Sequence, residues 1–339
     1  MARIVYSDGS GAGIGRRQVR GLWTYFDVNG ERVTDEGEID RLNKIGLPPA
    51  YRDAWYNPNP NGHIQAVGWD EKGRKQYRYH TGFREAQEAA KYEKCADFGR
   101  ALPKLRKQVE ADIAKRQIDK DHAVAAVIRL LDIGHLRVGN EAYTEANHSY
   151  GATTLREEHA QVRGDTLRLR FRGKSGKDRD CKVVDKALAR TVRQMHDLDE
   201  QHLFSWVDEH GHAHPVTSSD VNDYIHRVAG EQFSAKHFRT WGASVAAFEA
   251  LANAPADLKL KAMLEPVVAA LGNTPAIARK SYVHPALLAL AKKGQGAFRD
   301  SLKLPRAAQY LSREERALIA FLDALAPAMA AEAAVLEAA

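Results

Sequence analysis

Residues 153–184, with the sequence TTLREEHAQVRGDTLRLRFRGKSGKDRDCKVV, break a chain whose flanking segments favour helices. Between Leu167 and Phe171 an apolar residue alternates with arginine, which is the period of two typical of a strand with one buried face. Turn-forming residues at Arg163–Asp165 and Gly173–Lys177 separate this strand from its neighbours. The stretch therefore predicts a small antiparallel sheet inserted into a mainly helical domain.

Helical patterns lie on both sides of this sheet. From about Phe83 the chain is rich in Ala, Glu, Lys and Leu, and in DHAVAAVIRLLDIG we predict Asp121 as the N-cap and Gly134 as the C-cap. Beyond the sheet, helices are predicted near residues 185–198, 219–229, 236–253, 257–271, 274–283 and 312–325.

The first 82 residues have a different pattern, in which aromatic and polar residues alternate. GLWTYFDVNGERVTD predicts a hairpin around Asn29-Gly30, and HIQAVGWDEKGRKQYRYH predicts a second hairpin with its turn near Asp70–Gly73. GLPPAYRDAWYNPNPNG lies between them, is rich in Pro, Asn and Gly, and predicts a loop.

Together these patterns predict the α+β fold class. A small β-rich N-terminal domain precedes a larger, mainly α-helical domain that carries the small antiparallel sheet. The predicted boundaries are residues 1–85 for the β-rich domain, 86–325 for the helical domain and 326–339 for an Ala-rich tail.

The composition favours an intracellular protein with a polyanionic partner. The 339 residues carry a formal net charge of +6 and a pI of about 9.1, although a merely basic protein explains this charge equally well. Two cysteines, Cys95 and Cys181, exclude a disulfide framework and fit a reducing compartment. No run of 18 apolar residues occurs, so we expect a cytoplasmic protein with no signal peptide and no membrane span.

Three short motifs suggest cofactors, but each lacks a required feature. GSGAGIG at 9–15 does not have the G-x-G-x-x-G spacing, and RGKSGK at 172–177 has Arg168 where a P-loop has its first glycine. HGHAHP at 210–215 offers alternating histidines, but no Cys or carboxylate cluster clearly joins them. We therefore predict no nucleotide, no metal and no other cofactor.

The stretch IARKSYVHP, residues 277–285, places Tyr282 among cations. A phenol with a pKa of about 10 is mostly protonated at neutral pH, and nearby positive charge favours its nucleophilic phenolate. If the target is a phosphodiester, arginines suit the charge on the non-bridging oxygens and a general acid must protonate the leaving oxygen.

The chain offers such groups on separate predicted elements: Arg137 after a helix end, Lys174 at a hairpin tip, Arg239 at a helix start and Tyr282 on a short helix. Each also has an ordinary structural explanation, as a helix cap, a solvated turn lysine, a surface arginine or a packing aromatic. Spacing alone does not show that the four converge.

These residues, with their neighbours, resemble the type IB DNA topoisomerases of the small poxvirus and bacterial kind. The family order is Arg, Lys, Arg, His or Asn, and Tyr. The matching motifs here are RVGNE at 137–141, Gly173-Lys174, KHFRT at 236–240 and Tyr282, together with TTLR at 153–156 and GHIQAVGWDEKGRKQYRYH at 62–80. The resemblance runs from about residue 10 to residue 290 and favours the nucleophile over the packing aromatic.

The resemblance implies a catalytic set of Arg137, Lys174, Arg239, Asn273 and Tyr282. Asn273 stands where poxviral relatives have His, and an amide donates a hydrogen bond but neither carries charge nor transfers a proton. The implied activity is relaxation of supercoiled duplex DNA through a 3′-phosphotyrosyl intermediate, without ATP or metal.

The resemblance also implies a DNA surface. Arg74, Gln76, Tyr77 and Tyr79 match positions that contact DNA in poxviral relatives, although the two tyrosines could instead pack inward. We expect a monomeric, nucleoid-associated protein that clamps duplex DNA through its N-terminal domain. The remaining residues expected to contact DNA are Lys72, Lys75, Arg78, Lys236, Arg279 and Lys280.

Two other functions stay open. A tyrosine recombinase or integrase shares the catalytic order, but it usually has His where this chain has Lys236 and a helical domain where residues 1–82 look β-rich. A non-enzymatic DNA-binding protein with the same fold is the second, and the complete set of catalytic residue types disfavours it.

Overall fold

The computed structural model describes residues 4–71, 73–196, 198 and 201–338, with no side-chain description for residues 88–90 and 326–338. Lys72, one of the expected DNA-binding residues, lies outside the described residues. The chain forms two compact units, Met1–Lys91 and Tyr92–Ala339.

The first unit is a five-stranded antiparallel sheet with one helix on one face. The strand order is β2-β1-β3-β4-β5. Asp35 caps the helix by accepting a hydrogen bond from the Glu38 backbone N–H at 2.6 Å. The core between helix and sheet contains Leu42 and Tyr56, both fully buried. The elements are β1 Ile14–Val19, β2 Leu22–Phe26, α1 Glu36–Lys44, β3 Arg52–Tyr56, β4 Ile64–Trp69 and β5 Lys75–Tyr79.

Two local predictions in this unit are wrong. The first hairpin turns at Arg20-Gly21, where both residues have positive φ (50° and 83°), as a two-residue type I′ turn requires. Asn29-Gly30 also turns the chain, but only an isolated bridge from Phe26 to Arg32 follows it. The segment predicted as a loop contains β3, because Pro and Asn at its ends masked five strand residues.

The first residues of the glycine-rich stretch at 9–15, up to Gly13, lie on the sheet face opposite α1. A Cβ on Gly13 would lie 2.0 Å from Trp55 Nε1, and that nitrogen donates to the Gly11 carbonyl at 2.8 Å. Gly9 has φ of +70° and would place a Cβ 3.1 Å from Val67 Cγ2. These glycines let the backbone lie directly on the sheet, and the stretch leads into β1 rather than into a helix.

The second unit is mainly helical and contains the inserted sheet that the arginine alternation predicted. Leu167 and Leu169 are fully buried on its inner face. The strands are β6 Ala160–Arg163, β7 Thr166–Arg172 and β8 Asp178–Val184, in the order β6-β7-β8, with a small separate hairpin of β9 Ser205–Val207 and β10 Ala213–Pro215. The α+β fold class is therefore confirmed.

The helices pack against the inner face of this sheet and supply most of the core. Helix α2 (Thr81–Glu93) crosses the boundary of the two units, and α13 (Arg313–Ala338) includes the predicted Ala-rich tail up to residue 338. No helix among the described residues is long and apolar enough to span a bilayer. The helices are α2 Thr81–Glu93, α3 Cys95–Ile113, α4 Lys120–Gly134, α5 Glu141–Asn147, α6 Lys186–His196, α7 Ser218–Ala229, α8 Lys236–Ala252, α9 Leu260–Leu271, α10 Pro275–Ser281, α11 Pro285–Leu290, α12 Gln295–Ser301 and α13 Arg313–Ala338.

Both predicted caps of α4 are wrong by one or two residues. Asp119 is the N-cap, since its carboxylate accepts from the His122 backbone N–H at 2.8 Å, whereas Asp121 lies inside the first turn and pairs with Arg227. The C-cap is His135, in the left-handed region with φ of 48°. A non-glycine residue here is unusual, and its carbonyl contributes to the site described next.

Ion pairs fix the end of α4 against its neighbours. Arg106 on α3 bonds Asp132 on α4 at 2.7 Å and Glu315 on α13 at 2.8 Å. Glu315 also accepts from Trp241 Nε1 on α8 at 3.0 Å. The largely buried guanidinium therefore joins three helices, and Glu315 extends the network to α8, which holds the ends of α4 and α8 in a fixed relation.

Candidate active site

Residues that are remote in sequence line one cleft of the second unit. Arg137, Lys174 and Arg239 all border it, together with Gly272, the residue directly before Asn273. They come from the segment after α4, the tip of the β7–β8 hairpin, the first turn of α8 and the end of α9. The structure therefore brings together elements that sequence spacing could not show to converge.

Arg239 is buried, with 4% of its surface exposed. Its Nη1 donates to the His135 carbonyl, and its Nη2 lies 3.3 Å from both the Leu271 carbonyl and Asn273 Oδ1. Burial and the neighbouring charge of Arg137 lower the pKa of Arg239 to about 10, so it is still protonated at neutral pH. Its Nε is buried and has no hydrogen-bond acceptor among the described residues.

Arg137 lies on an extended segment that the TTLR motif supports. The carbonyl of Arg137 accepts from the Ala152 backbone N–H at 2.8 Å, and the carbonyl of Val138 accepts from the Thr153 backbone N–H at 2.7 Å. A Cβ on Gly151 would lie 2.6 Å from the Gly139 nitrogen, so a glycine is needed there. The RVGNE and TTLR segments therefore pack against each other, and this packing supports the Arg137 side chain.

The amide of Asn273 is oriented by two arginines. Its Oδ1 accepts from Arg137 Nη2 at 3.0 Å and from Arg239 Nη2 at 3.3 Å. Guanidinium groups only donate, so the oxygen must face them and the amide orientation follows from chemistry. The Nδ2 is then buried, and within the described part of the chain it has no acceptor. Beside two guanidinium groups the site therefore holds a buried N–H₂ group that no described residue accepts from.

Tyr282 follows the short helix α10 and is half-buried. Its backbone N–H donates to the Ala278 carbonyl at 3.1 Å, and the Arg239 guanidinium carbon lies 4.8 Å from the centre of its ring. Burial alone would raise the pKa of Tyr282, but the charges and hydrogen bonds of Arg239 and Arg137 together lower it below its usual value of 10. This is the direction that a phenolate nucleophile needs.

A buried hydrogen bond ties the tyrosine segment to α8. The backbone N–H of His284 donates to Ser244 Oγ at 3.1 Å, and that hydroxyl donates to the Thr240 carbonyl at 2.9 Å. Burial lowers the pKa of the His284 ring to about 4, so the ring is neutral at physiological pH. This link holds Tyr282 in register with Arg239, and nothing in the sequence marked Ser244 for that role.

Lys174 occupies the tip of the β7–β8 hairpin, as predicted. The tip is closed by a hydrogen bond from the Gly173 N–H to the Lys177 carbonyl at 2.7 Å, and Ser175 has a positive φ of 65°. The Lys174 side chain is exposed and borders the same cleft as Arg137. The side chain is therefore accessible to a substrate that enters the cleft.

The expected DNA residues on β5 divide between two faces. Lys75, Tyr77 and Tyr79 point away from α1, and the two tyrosine rings stack with centroids 6.0 Å apart. Tyr77 is 38% exposed and Tyr79 46%, so they do not pack inward. Gln76 and Arg78 lie on the opposite face of the strand. Because β5 is an edge strand, a ligand that binds along its free edge can contact the side chains on both faces.

Arg74 and Gln76 are anchored to the buried carboxylate of Asp70. Arg74 bonds Asp70 Oδ2 at 2.6 Å, and Gln76 Nε2 donates to the same oxygen at 3.1 Å. The Asp70 side chain also accepts from the Arg74 backbone N–H, which closes the β4–β5 turn. Asp70 was not predicted as functional, although its place in the turn motif is the signal that could have indicated it.

The remaining expected DNA residues lie on helix ends of the second unit. Lys236 is exposed and is the first residue of α8, one turn before Arg239. Arg279 and Lys280 are exposed in the last turn of α10. Their contacts with DNA stay predictions.

The described residues contain no group of three or more His, Cys, Asp or Glu side chains that could hold a metal ion. The histidine-rich loop is organised differently. Asp208 accepts from the backbone N–H groups of His210 and His212 at 2.9 Å and from His214 Nε2 at 2.8 Å. Its carboxylate thus shapes the turn between β9 and β10.

Comparisons with known proteins show that the chain is similar to DNA topoisomerases. The family model described as "Eukaryotic DNA topoisomerase I, catalytic core" matches residues 80–283, and that described as "Bacterial DNA topoisomerase IB, N-terminal domain" matches residues 22–70. DNA topoisomerase 1B of Acanthamoeba polyphaga mimivirus is 32% identical over 276 residues, which cover 77% of this chain and 82% of the relative. DNA topoisomerase 1B of Vaccinia virus is 22% identical over 238 residues, covering 67% and 72%.

Among solved structures, the XerH site-specific recombinase bound to palindromic difH substrate is similar in part. It is 16% identical, the match covers 53% of this chain and 47% of that chain, and the TM-score is 0.35.

Proposed function

The chain belongs to the type IB DNA topoisomerase family, and from that membership we propose that it relaxes supercoiled duplex DNA by transient cleavage of one strand. The observation that supports this proposal best is the position of Tyr282. The centre of its ring lies 4.8 Å from the Arg239 guanidinium carbon, and the neighbouring arginines lower the pKa of its hydroxyl. Residues 1–85 would act as a DNA-binding domain and residues 86–325 as the catalytic domain of a monomeric enzyme.

In the cleavage step, Tyr282 Oη attacks a backbone phosphorus atom. The bond from the tyrosine oxygen to phosphorus forms, the phenol proton passes to water, and the bond from phosphorus to O5′ breaks. Lys174 Nζ gives a proton to the departing O5′. Arg137, Arg239 and the Nδ2 of Asn273 donate to the non-bridging oxygens, on which charge builds in the transition state.

The reverse step restores the DNA. After the cut strand has swivelled, the 5′-hydroxyl attacks the 3′-phosphotyrosyl phosphorus and returns its proton to Lys174. The bond from phosphorus to Tyr282 Oη breaks, and the departing phenolate takes a proton back from water. The number of phosphodiester bonds is unchanged, so the reaction needs no nucleotide. Three cationic side chains and one amide stand where other phosphoryl-transfer sites place metal ions.

Relaxation without nucleotide and with excess EDTA tests this function. We expect the protein to relax both positively and negatively supercoiled plasmid under these conditions. SDS added during the reaction should trap DNA covalently bound to protein. An absolute requirement for Mg²⁺ or ATP would contradict the mechanism, and recombination of two matched sites without relaxation would identify a recombinase instead.

Replacing Asn273 by Ala should slow cleavage by about 100-fold, because it removes one donor to the developing oxyanion. Asn273→Asp should be slower still, since a carboxylate between Arg137 and Arg239 repels the phosphate and offsets one of the two positive charges there. Single-turnover cleavage of an end-labelled duplex measures both rates. Asn253→Ala, at the end of α8, is the matched control; equal rates for Asn273→Ala and wild type would remove Asn273 from the proposed set.

The β5 surface is proposed to bind the DNA backbone. Lys75→Ala should weaken binding of unrelated duplexes alike and reduce the slope of log K against log salt by about one. Lys120→Ala is the control, because that lysine is at the start of α4 in the second unit and already pairs with Asp220 at 2.5 Å. Fluorescence anisotropy at several salt concentrations gives the slope, and an unchanged slope for Lys75→Ala would exclude a phosphate contact there.

A further inference from the structure

Arg179 is a half-buried arginine close to the candidate active site, to which the sequence resemblance gave no role. It lies on β8, directly across from Phe171 on β7, and therefore belongs to the inner face of the hairpin that carries Lys174. It lines the same cleft as Arg137 and Arg239.

Its side chain spans two glycines, each of which directly precedes a proposed catalytic residue. A Cβ on Gly173 would lie 3.2 Å from Arg179 Cγ, so the aliphatic stem packs against the residue before Lys174. A Cβ on Gly272 would lie 1.3 Å from Arg179 Nη1, so the guanidinium occupies the space that any other residue before Asn273 would need.

The guanidinium is bound to the end of α9. Arg179 Nη2 donates to the Ala270 carbonyl at 3.3 Å, a contact that the negative end of the helix dipole favours. Among the described residues it has no acidic partner within ion-pair distance. Burial and the charge of Arg137 lower its pKa, so a surface ion pair does not account for its position.

The outward-facing arginines of the same sheet behave differently. Arg168 and Arg170 on β7 both bond Asp180, at 2.5 Å and 3.2 Å, and are exposed. Arg179 is thus distinguished from its neighbours by its direction, its burial and its glycine contacts.

We propose that Arg179 is a positioning residue that holds the Lys174 hairpin tip against the Gly272–Asn273 turn. This inference rests on the proposed function. Arg137 and Arg239 already hold Asn273 by hydrogen bonds. If Arg179 is lost, we therefore expect the Gly272–Asn273 turn to keep its position and the hairpin tip to shift. Loss of Arg179 should displace the Lys174 ammonium from the leaving oxygen while the two arginines and Asn273 keep their places.

A substrate with sulfur in place of the bridging O5′ tests this role. Its cleavage releases a thiolate, which leaves without being protonated because a thiol is far more acidic than an alcohol. We expect Arg179→Gln to cleave an ordinary duplex about 100-fold more slowly than wild type, the cost of a misplaced catalytic group. On the sulfur substrate it should regain the wild-type rate, as Lys174→Ala also should.

A second variant keeps Arg179 and displaces it. Gly272→Ala forces the guanidinium away. It should cleave the ordinary duplex about as slowly as Arg179→Gln and should also regain the wild-type rate on the sulfur substrate. Gly294→Ala is its matched control, since Gly294 also has a positive φ, of 94°, but has open space around it. Arg168→Gln is the control for the loss of an arginine from this sheet. Both controls should cleave both substrates at the wild-type rate.

Thermal unfolding of each variant shows whether it is folded, and Arg179→Lys replaces Arg179→Gln if the latter is not. The inference would be overturned if Arg179→Gln lost cleavage rate equally on the ordinary and the sulfur substrate, or if it lost none on either. The proposed function is judged separately: absence of a covalent adduct in wild type contradicts it, and lack of recovery by Lys174→Ala contradicts the assignment of Lys174 as the acid.

Discussion

Tyr282→Phe is expected to form no covalent adduct with DNA and to relax no supercoils, while it still binds DNA. The substitution removes only the hydroxyl that would attack phosphorus. The ring remains over Arg239, and the backbone hydrogen bond from residue 282 to Ala278 is kept. Because no other group in the proposed mechanism forms the covalent bond, this change should have the largest effect of any single substitution.

The measurement is SDS trapping with duplexes labelled at one or the other end of the cut strand. A 5′ label should remain with the protein and a 3′ label should not, because the proposed linkage is to the 3′ phosphate. Tyr310→Phe is the control, since its hydroxyl bonds Glu110 outside the cleft. An adduct in Tyr282→Phe would place the nucleophile elsewhere, and no adduct in wild type would contradict the enzyme mechanism.

The sequence predicted the helices and strands of this structure better than it predicted the contacts between them. The β6–β7–β8 sheet followed from strict alternation around Leu167, because one face of a sheet is buried and the period is two. Helix α1 was missed because its apolar residues are few and it lies among strand patterns. Cap positions near Asp119 and His135 were misplaced because several neighbouring residues could cap equally well until tertiary contacts decided between them.

The candidate site shows the same limit. The residue types of Arg137 and Arg239 suited the chemistry, but their shared acceptor on Asn273 is more than 30 residues away from either of them in the chain. Contacts of this kind depend on how helices pack, which one sequence does not specify locally. The supporting residues Ser244 and Arg179 had no sequence signal at all, since each acts through geometry rather than through an unusual residue type.

Arg239→Gln is expected to lower the single-turnover cleavage rate by about 1,000-fold at neutral pH, the upper range for loss of a preorganised electrostatic donor. Gln is neutral, and it cannot reach the His135 and Leu271 carbonyls and Asn273 together as the guanidinium does. The donor to the phosphate and the charge that favours the phenolate are lost at once. Arg239→Lys should be intermediate, because it keeps the charge but not the planar set of donors.

The pH dependence separates these two contributions. Arg239 is the strongest influence that lowers the pKa of Tyr282, with Arg137 the next. Without Arg239 the pKa of Tyr282 rises, so at a given pH a smaller fraction is phenolate and the cleavage rate should keep increasing to a higher pH than in wild type. Arg239→Lys should keep its plateau near the wild-type pH, because an ammonium still favours the phenolate.

Cleavage rates measured across the alkaline range for the three proteins test this order. Arg227→Gln is the control, since that arginine is exposed on α7 and pairs with Asp121 at 2.6 Å. If the cleavage rate of Arg239→Gln is lower by the same factor at every pH, and its plateau is not shifted to higher pH, Arg239 acts on the phosphate alone. A shift with little loss would mean that it acts mainly on the nucleophile. Because Arg239 lies over the Tyr282 ring and also bonds Asn273, the structure favours both effects together.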